Sequence, residues 1–175
     1  MNNTKTLVSL ALFVGIGAIL HAVIPPIFFG MKPDMMLTMM FLGILLFPQI
    51  KNVVLLGITT GIISALTSGF PGGAYANPVD KIVTAFVFFG MALIIKKMHY
   101  SIVTLGMITA VGTLVSGLVF LGTAYVIVGL PGPFLGLIGA VVLPAMALNT
   151  IAIVIMYPIV SGILRKSHIQ VQTIK

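Results

Sequence analysis

Long apolar runs separated by short polar or Pro/Gly-rich breaks make up most of this chain. The breaks fall at residues 25–33, 48–52, 70–77, 96–100 and 129–133. A helix of roughly 17 to 25 apolar residues can cross a bilayer, and a helix satisfies its own backbone hydrogen bonds there. The pattern therefore predicts an all-α bundle of six transmembrane helices, near 4–24, 34–49, 51–69, 78–96, 101–128 and 134–164.

The first and last of these runs need separate interpretation. The apolar stretch 7–24 is too long for a signal-peptide core and ends in Pro25-Pro26 rather than at a small-residue cleavage site, so we expect a retained helix. The sixth run is long and contains Pro144 and Pro158. We expect it to be tilted or kinked, or to begin as a shallow turn outside the membrane.

Composition narrows the class of protein. The 175 residues are 59% hydrophobic and 6% charged, with a mean hydropathy of +1.26, which indicates a single integral membrane domain spanning 1–175. The net charge of +7 would suggest nucleic acid in a soluble protein, but these cations lie near helix ends, where they orient the chain in the bilayer. We therefore expect no nucleic-acid partner. The chain has no cysteine, which excludes disulfides and a thiol nucleophile.

The distribution of lysine and arginine predicts the orientation. With six spans, both termini lie on the same side of the membrane. Cytoplasmic loops carry an excess of Lys and Arg, so the side richer in them is predicted to be cytoplasmic and to hold both termini. The predicted cytoplasmic cations are Lys5, Lys51, Lys96, Lys97, Arg165, Lys166 and Lys175, and the predicted outer ones are Lys32 and Lys81.

The only two acids each have a lysine close by, Lys32 with Asp34 and Asp80 with Lys81. A structural explanation is available for the second cluster: Asn77 caps a helix, Pro78 occupies its first position, and Asp80 complements its positive end. A functional one is that Asp80, Lys81 and the Asn77 amide line an outer cavity and contact the amine and carboxylate of a zwitterion. Lys32 and Asp34 similarly begin the second helix, as interface anchors or as part of the same site.

Other polar residues lie inside the predicted spans. Asn149 either repairs backbone bonding near Pro144 and bonds between helices, or contacts a ligand, for example by accepting an indole or amide N–H. His21 is either a packing histidine or a ligand or proton-relay group. The histidines have no metal-ligand spacing, so no metal is expected. A face of the fifth helix carries small hydroxyl residues and a phenylalanine, suited to close packing or, at its outer end, to a cavity: Thr109, Thr113, Ser116, Phe120 and Thr123.

Two further patterns concern packing. Ala11, Gly15 and Ala18 form a stripe of small residues on the first helix, where another helix can approach closely within this chain or in a partner. Gly57 and Gly61 on the third helix are most simply explained by internal packing.

No catalytic or nucleotide-binding motif is present in the sequence. There is no Gly-x-x-x-x-Gly-Lys-[Ser/Thr] loop, serine elbow or His-Glu-x-x-His pattern. We therefore expect no enzyme activity and no cofactor in this chain. Any energy for transport would come from a partner or an ion gradient.

Several short motifs, in this order along one chain, resemble the substrate-binding S components of energy-coupling factor transporters, and more narrowly the tryptophan-specific ones. The resemblance covers essentially the whole chain and rests on these segments: His21-Ala22-Val23-Ile24-Pro25-Pro26, Gly30-Met31-Lys32-Pro33-Asp34, Asn77-Pro78-Val79-Asp80-Lys81, Val128-Gly129-Leu130-Pro131-Gly132 and Val142-Leu143-Pro144-Ala145-Met146-Ala147-Leu148-Asn149-Thr150.

The resemblance implies a multi-pass protein of the bacterial cell membrane that binds tryptophan from outside. It implies toppling in the membrane, driven by a transmembrane coupling subunit and two ATPase subunits that use ATP. An Ala-x-x-x-Ala motif on the first helix docks the coupling subunit in that family; Ala11 matches it, Gly15 replaces the second alanine, and Ala18 extends the stripe. The predicted substrate-binding residues are His21, Lys32, Asp34, Tyr75, Asn77, Asp80, Lys81, Ser116, Phe120, Tyr125 and Asn149.

Aromatic residues would have to supply much of the binding energy. The predicted slot is formed by residues such as Phe28, Phe70, Tyr75, Phe120 and Tyr125. Two alternatives remain open. One is an autonomous carrier for an aromatic amino acid in which Asp34, Asp80 or His21 couples to protons. The other is a membrane assembly or regulatory subunit that transports nothing.

Overall fold

The computed structural model describes residues 3–24, 34–98, 101–169 and 171, and this part of the chain contains helices and turns but no strand. The all-α fold predicted from the sequence is confirmed. The helices, in chain order, are α1 Asn3–Val23, α2 Met35–Leu46, α3 Ile50–Leu66, α4 Gly73–Met98, α5 Ile102–Val128, α6 Phe134–Leu137, a π-helical turn Ile138–Val142, and α7 Leu143–Lys166.

Among the described residues, four helical stretches are long and apolar enough to cross a bilayer, namely Thr4–Val23, Gly73–Lys96, Ile102–Val128 and Phe134–Lys166. The other two apolar helices, α2 and α3, are shorter, with 12 and 17 residues. At about 1.5 Å per residue, α2 extends only about 18 Å, against a hydrocarbon core of about 30 Å. The described residues thus form a bundle with the character of a multi-pass membrane protein, built from long and short helices.

Helix α2 is the centre of the bundle. Every residue from Met35 to Leu46 is buried, and α2 contacts α1, α3, α4 and α7. A helix that is apolar on all sides can be surrounded by lipid or by protein, and α2 is surrounded by protein. The ring of Phe41 stacks on Phe88 of α4 with 3.8 Å between ring centroids, and Gly112 of α5 lies against both rings. This stack joins three helices below the cavity described in the next section.

Glycines let α3 approach α4 closely, as predicted. A Cβ atom at Gly61 would lie 3.0 Å from the Cα atom of Pro78, and one at Gly57 would lie 3.3 Å from the Cβ atom of Ala85. Small residues at this spacing allow backbones to come together. The same contact places the first turns of α4 beside the end of α3.

Helix α4 begins at Gly73, five residues earlier than the predicted start at 78. The expectation that Asn77 caps the helix and that Pro78 occupies its first position is therefore wrong. Pro78 is the sixth residue of the helix, so its missing N–H leaves one intrahelical bond, to the carbonyl of Ala74, unmade. Asp80 and Lys81 consequently lie inside the helix rather than at its edge.

The last helix changes its winding just before Pro144. The backbone N–H of Leu143 donates to the carbonyl of Ile138, five residues back, and so closes the π turn. Proline cannot donate a backbone hydrogen bond, and a wider turn ahead of it redistributes the remaining bonds. At Pro144 the helix therefore contains one wide turn, which packs against Gly117 of α5. Pro158, the second proline of this run, lies inside α7.

Candidate functional site

A cavity of about 560 Å³ lies at the end of the bundle where α1 ends and α2 begins. This volume falls within the roughly 300 to 1,000 Å³ typical of small-molecule sites. Every long helix, the loop after α3 and the π turn contribute to its wall. The lining includes His21, Asp34, Leu37, Ser64, Thr67, Ser68, Gly69, Phe70, Asn77, Asp80, Lys81, Thr113, Ser116, Gly117, Phe120, Leu121, Val141, Val142, Pro144, Ala145, Leu148 and Asn149.

The two predicted acid and lysine clusters are one cluster in the structure. The Nζ atom of Lys81 lies 2.7 Å from Oδ2 of Asp34 and 2.7 Å from Oδ2 of Asp80. Both acids of the chain therefore bind the same ammonium group, although Asp34 and Lys81 are 47 positions apart in sequence. With all three groups ionised, the cluster carries a net charge of −1.

The two carboxylates differ in accessibility. Asp80 is fully buried and accepts further hydrogen bonds from Ser116 Oγ at 2.9 Å and Thr84 Oγ1 at 2.8 Å. Asp34 caps α2 by accepting from the backbone N–H of Leu37 at 2.9 Å, and 27% of its side chain is exposed. Asp80 therefore holds Lys81 in place from inside the protein, whereas Asp34 presents its carboxylate at the cavity.

Local structure explains how these groups meet. The tight contact between α3 and α4 brings Lys81 under the end of α3, where Lys81 is near Gly61. The Asn77 amide fixes this region by donating to the carbonyls of Gly73 at 2.8 Å and Ser64 at 3.3 Å. Asn77 thus lines the cavity but uses its N–H₂ group to join α3 to α4.

His21 and Lys32 complete the charged candidates. His21 lines the cavity, and its Nδ1 atom is 3.9 Å from Oδ1 of Asp34. Lys32, predicted as the partner of Asp34, lies outside the described residues, as does Phe28. In the described structure, the ammonium group that contacts Asp34 is that of Lys81.

The predicted aromatic slot is only partly formed. Phe70 and Phe120 line the cavity in an edge-to-face arrangement, with 5.3 Å between ring centroids and 64° between ring planes. Tyr75 and Tyr125 are both 63% exposed and are not part of the wall. Both tyrosines lie at the cavity end of their helices, but on faces that point away from the cavity. Their positions in the sequence, close to other motifs, did not show which face they occupy.

Several buried polar groups on the wall have no hydrogen-bond partner in the described structure. They are both amide atoms of Asn149 and the hydroxyls of Ser64 and Thr113. Because neither amide atom of Asn149 has a partner among the described residues, the two predicted structural roles, backbone repair and an interhelical hydrogen bond, are both absent there. The residue is nevertheless fully buried. Burying an unpaired amide costs free energy, and such groups in native proteins usually have a partner.

The small-residue stripe of α1 is at the surface. Ala11 and Gly15 are exposed and Ala18 is partly exposed, and no atom lies within 4 Å of a Cβ placed on Gly15. Within the described residues, this stripe is therefore not used for packing inside the chain.

Sequence reasoning missed some wall and support residues. Thr84 was recognisable in principle, because a threonine four residues after Asp80 on a helix lies on the same face. The contact between Gly117 and Val142 could not be recognised from the sequence, because it depends on the π turn. No group of three or more His, Cys, Asp or Glu side chains in the described part of the chain is placed to hold a metal ion.

Comparison with known proteins identifies the family. Residues 3–165 match the family model described as "Tryptophan transporter TrpP". The chain is 57% identical over 164 residues to a probable tryptophan transport protein of Bacillus subtilis, covering 94% of this chain and 95% of the relative. It is 40% identical to a protein of the same description from Clostridium perfringens, covering 96% and 97%, and 41% identical to one from Clostridium acetobutylicum, covering 93% and 95%. No solved structure matches the chain. The chain belongs to the TrpP family of tryptophan transporters.

Proposed function

We propose that this chain is the substrate-binding S component of an energy-coupling factor importer and that it binds tryptophan in the cavity at the Asp34 end of the bundle. The observation that carries the proposal is the Asp34–Lys81–Asp80 cluster on the wall of a cavity of about 560 Å³. Membership in a tryptophan transporter family supports the choice of ligand. We further propose that the chain forms one domain.

The cluster suits the head group of a zwitterion. Asp34 has the accessible carboxylate and would accept from the ligand ammonium. Lys81 has three N–H donors, of which Asp34 and Asp80 use two, so the third can be donated to the ligand carboxylate. Each charge-assisted bond contributes roughly 1.5 to 3 kcal/mol. Nanomolar affinity requires about 12 kcal/mol, so the apolar wall must supply most of the rest.

The proposed partners are a transmembrane coupling subunit and two ATPase subunits that use ATP. The exposed stripe of Ala11, Gly15 and Ala18 on α1 is the proposed docking surface. Its small side chains would allow a partner helix to approach closely in the membrane.

The Lys and Arg distribution supports an orientation with the cavity facing outward in the bacterial cell membrane. Lys51 lies in the first turn of α3, Lys96 ends the α4 span, and Arg165 and Lys166 end α7, all at the end of the bundle opposite the cavity. By the positive-inside rule this end is cytoplasmic. Ligand would then enter from outside.

One observation favours the alternative of a proton-coupled carrier. Asp34 has a partly exposed carboxylate and lies close to a histidine, at 3.9 Å from His21 Nδ1. Ionisable groups within membrane bundles often form proton pathways. In that case the chain would transport tryptophan without partner subunits.

Uptake by proteoliposomes separates the two functions. The purified chain alone is expected to bind tryptophan but not to accumulate it when a proton gradient is applied. Addition of the coupling and ATPase subunits with ATP inside is expected to start uptake. Accumulation by the chain alone, driven by the proton gradient, would exclude the S-component proposal.

Binding itself has a direct optical test. The chain contains no tryptophan, so bound ligand would be the only indole in the sample. Saturable, blue-shifted indole emission is expected when L-tryptophan is added, because the cavity wall is largely apolar. Emission identical to that of free tryptophan at every protein concentration would exclude the ligand.

A further inference from the structure

The buried amide of Asn149 is a polar group for which the fold provides no partner. Neither its oxygen nor its nitrogen has a hydrogen-bond partner among the described residues, and the side chain has no exposed surface. It nevertheless lies on the cavity wall, next to Leu148 and Ala145. An acceptor that water does not reach gains most when a ligand supplies the missing donor.

The depth of Asn149 follows from the register of α5 against the last helix. Gly117 lies against Val142, and Gly106 lies against Thr150 and Val154, so the two helices are antiparallel in a fixed register. Ser116, which bonds to Asp80, is therefore level with about residue 143. Asn149 is six residues further along, or about 9 Å deeper at 1.5 Å per residue.

The Phe70 and Phe120 pair lies in the opposite direction. Phe120 is one turn beyond Ser116 toward the end of α5 at which the cavity lies. If the charged head group of a ligand binds at Lys81, its planar ring can point outward to this aromatic pair or inward to Asn149. The same ring edge cannot contact both. The cavity has a charged middle, an aromatic outer end and a polar inner end.

We propose that the ligand's ring points inward and that the Asn149 Oδ1 atom accepts the ring N–H, while Phe70 and Phe120 cover the head group from the outer side. This rests on the proposed function, because it takes tryptophan as the ligand. The distance of about 9 Å between the levels of Asp80 and Asn149 is comparable to the length of an amino acid with a bicyclic side chain. Asn149 is thereby the residue that distinguishes indole from aromatic rings without an N–H donor.

The test compares tryptophan with an analogue of the same shape. In 3-benzothienylalanine, sulfur replaces the ring N–H, so the donor is lost and the bicyclic shape is kept. Displacement of bound tryptophan, followed by its indole emission, measures the analogue's affinity. The wild-type protein is expected to prefer tryptophan by about tenfold or more, since the analogue leaves the buried amide unpaired.

Two variants assign that preference to Asn149. In Asn149→Leu the ratio of the two affinities is expected to fall to about one. Thr150→Val is the matched control: it removes a hydroxyl that also lacks a partner, one position along the same helix but not on the cavity wall, and the ratio is expected to remain as in the wild type. Asn149→Leu is also expected to melt no lower than the wild type, because it removes an unpaired buried amide.

The outcomes separate this inference from the proposed function. Equal affinities of tryptophan and the analogue for the wild-type protein would overturn the inference without any variant. An equal loss of affinity for both ligands in Asn149→Leu would also overturn it, because Asn149 would then contact the head group. Absence of saturable tryptophan binding by the wild type would overturn the proposed function, and the inference with it.

Discussion

Asp34 and Asp80 bind the same ammonium group but differ in what else they contact. Asp80 is closed in by Ser116 and Thr84, whereas Asp34 is partly exposed at the cavity. Removing one partner of a buried charge pair leaves the other without compensation, at a cost of about 3 to 5 kcal/mol. We therefore expect neutralisation of Asp34 and neutralisation of Asp80 to have different effects on ligand affinity and on stability.

Asp34→Asn is expected to lower tryptophan affinity by about 10-fold to 100-fold, the loss of one charge-assisted hydrogen bond. Its melting temperature in detergent should change little, since Asp80 still holds Lys81. Asp80→Asn is expected to lower both affinity and melting temperature. Thr84→Val, which removes one hydroxyl donor to Asp80, serves as a mild control. A large loss of stability in Asp34→Asn with no loss in Asp80→Asn would reverse these roles.

At the scale of elements, the contact between α5 and the π turn shapes one wall of the cavity. A Cβ atom on Gly117 would lie 2.5 Å from Cγ1 of Val142, closer than real contacts allow. Gly122, on the same helix, has no atom within 4 Å of such a position. Substituting each of these two glycines by alanine therefore distinguishes the effect of a steric clash from the effect of helix propensity.

Gly117→Ala is expected to destabilise the protein by about 1 to 3 kcal/mol, because the added methyl forces α5 and the π turn apart. It should also weaken tryptophan binding, since Gly117 and Val142 line the cavity. Gly122→Ala is expected to be neutral or slightly stabilising, because alanine favours helix more than glycine does. Thermal unfolding in detergent and the emission titration measure both effects. Identical behaviour of the two variants would contradict the packing explanation.

Predictions from sequence succeeded where a property repeats along the chain. The lengths of the apolar runs located α1, α2, α3 and α5 to within a few residues. They also located the continuous stretch formed by α6, the π turn and α7. Single-position inference was weaker. Asn77 and Pro78 are residues that commonly begin a helix. In the structure, however, α4 begins at Gly73 and packs against the glycines of α3.

The candidate site was predicted in its residue types but not in its pairing. Proximity in sequence suggested Lys32 for Asp34, while the fold brings Lys81 to Asp34 from another helix. Tyr75 and Tyr125 were placed by nearness to other motifs, and a rotation of about 100° per residue decides which face they occupy. Long-range pairing and helix rotation depend on tertiary packing, which one sequence does not specify.

At the scale of the whole molecule, the proposed docking surface is the exposed stripe of Ala11, Gly15 and Ala18 on α1. Gly15 on α1 and Gly90 on α4 both have open space around them, but only Gly15 belongs to the stripe with Ala11 and Ala18. A large side chain at either position should leave the fold intact. The two positions therefore distinguish a docking surface from ordinary lipid-facing surface.

Gly15→Leu is expected to reduce co-purification with the coupling subunit at least tenfold, because the leucine side chain prevents close approach of a partner helix. Gly90→Leu should co-purify normally. Both variants are expected to bind tryptophan as the wild type does, since neither residue lines the cavity. Normal assembly of Gly15→Leu would exclude this stripe as the docking surface.

The orientation can be tested because the chain has no cysteine. Tyr75→Cys places a thiol at the exposed, cavity end of the bundle, and Ser167→Cys places one at the opposite end, beyond α7. A membrane-impermeant maleimide added to intact cells is expected to label the first variant, and the second only after permeabilisation. The reverse pattern would show that the cavity faces the cytoplasm.

The complete burial of α2 separates Asp34, which caps this helix, from the surrounding lipid. Helices that touch lipid tilt or shift when the thickness of the hydrocarbon layer changes. No side chain of α2 reaches the surface of the bundle, and Asp34 is fixed to the start of this helix. The position of Asp34 should therefore be nearly the same in bilayers of short and long acyl chains. The helices that such bilayers would shift are α1, α4, α5 and α7, which form most of the cavity wall and carry exposed apolar residues.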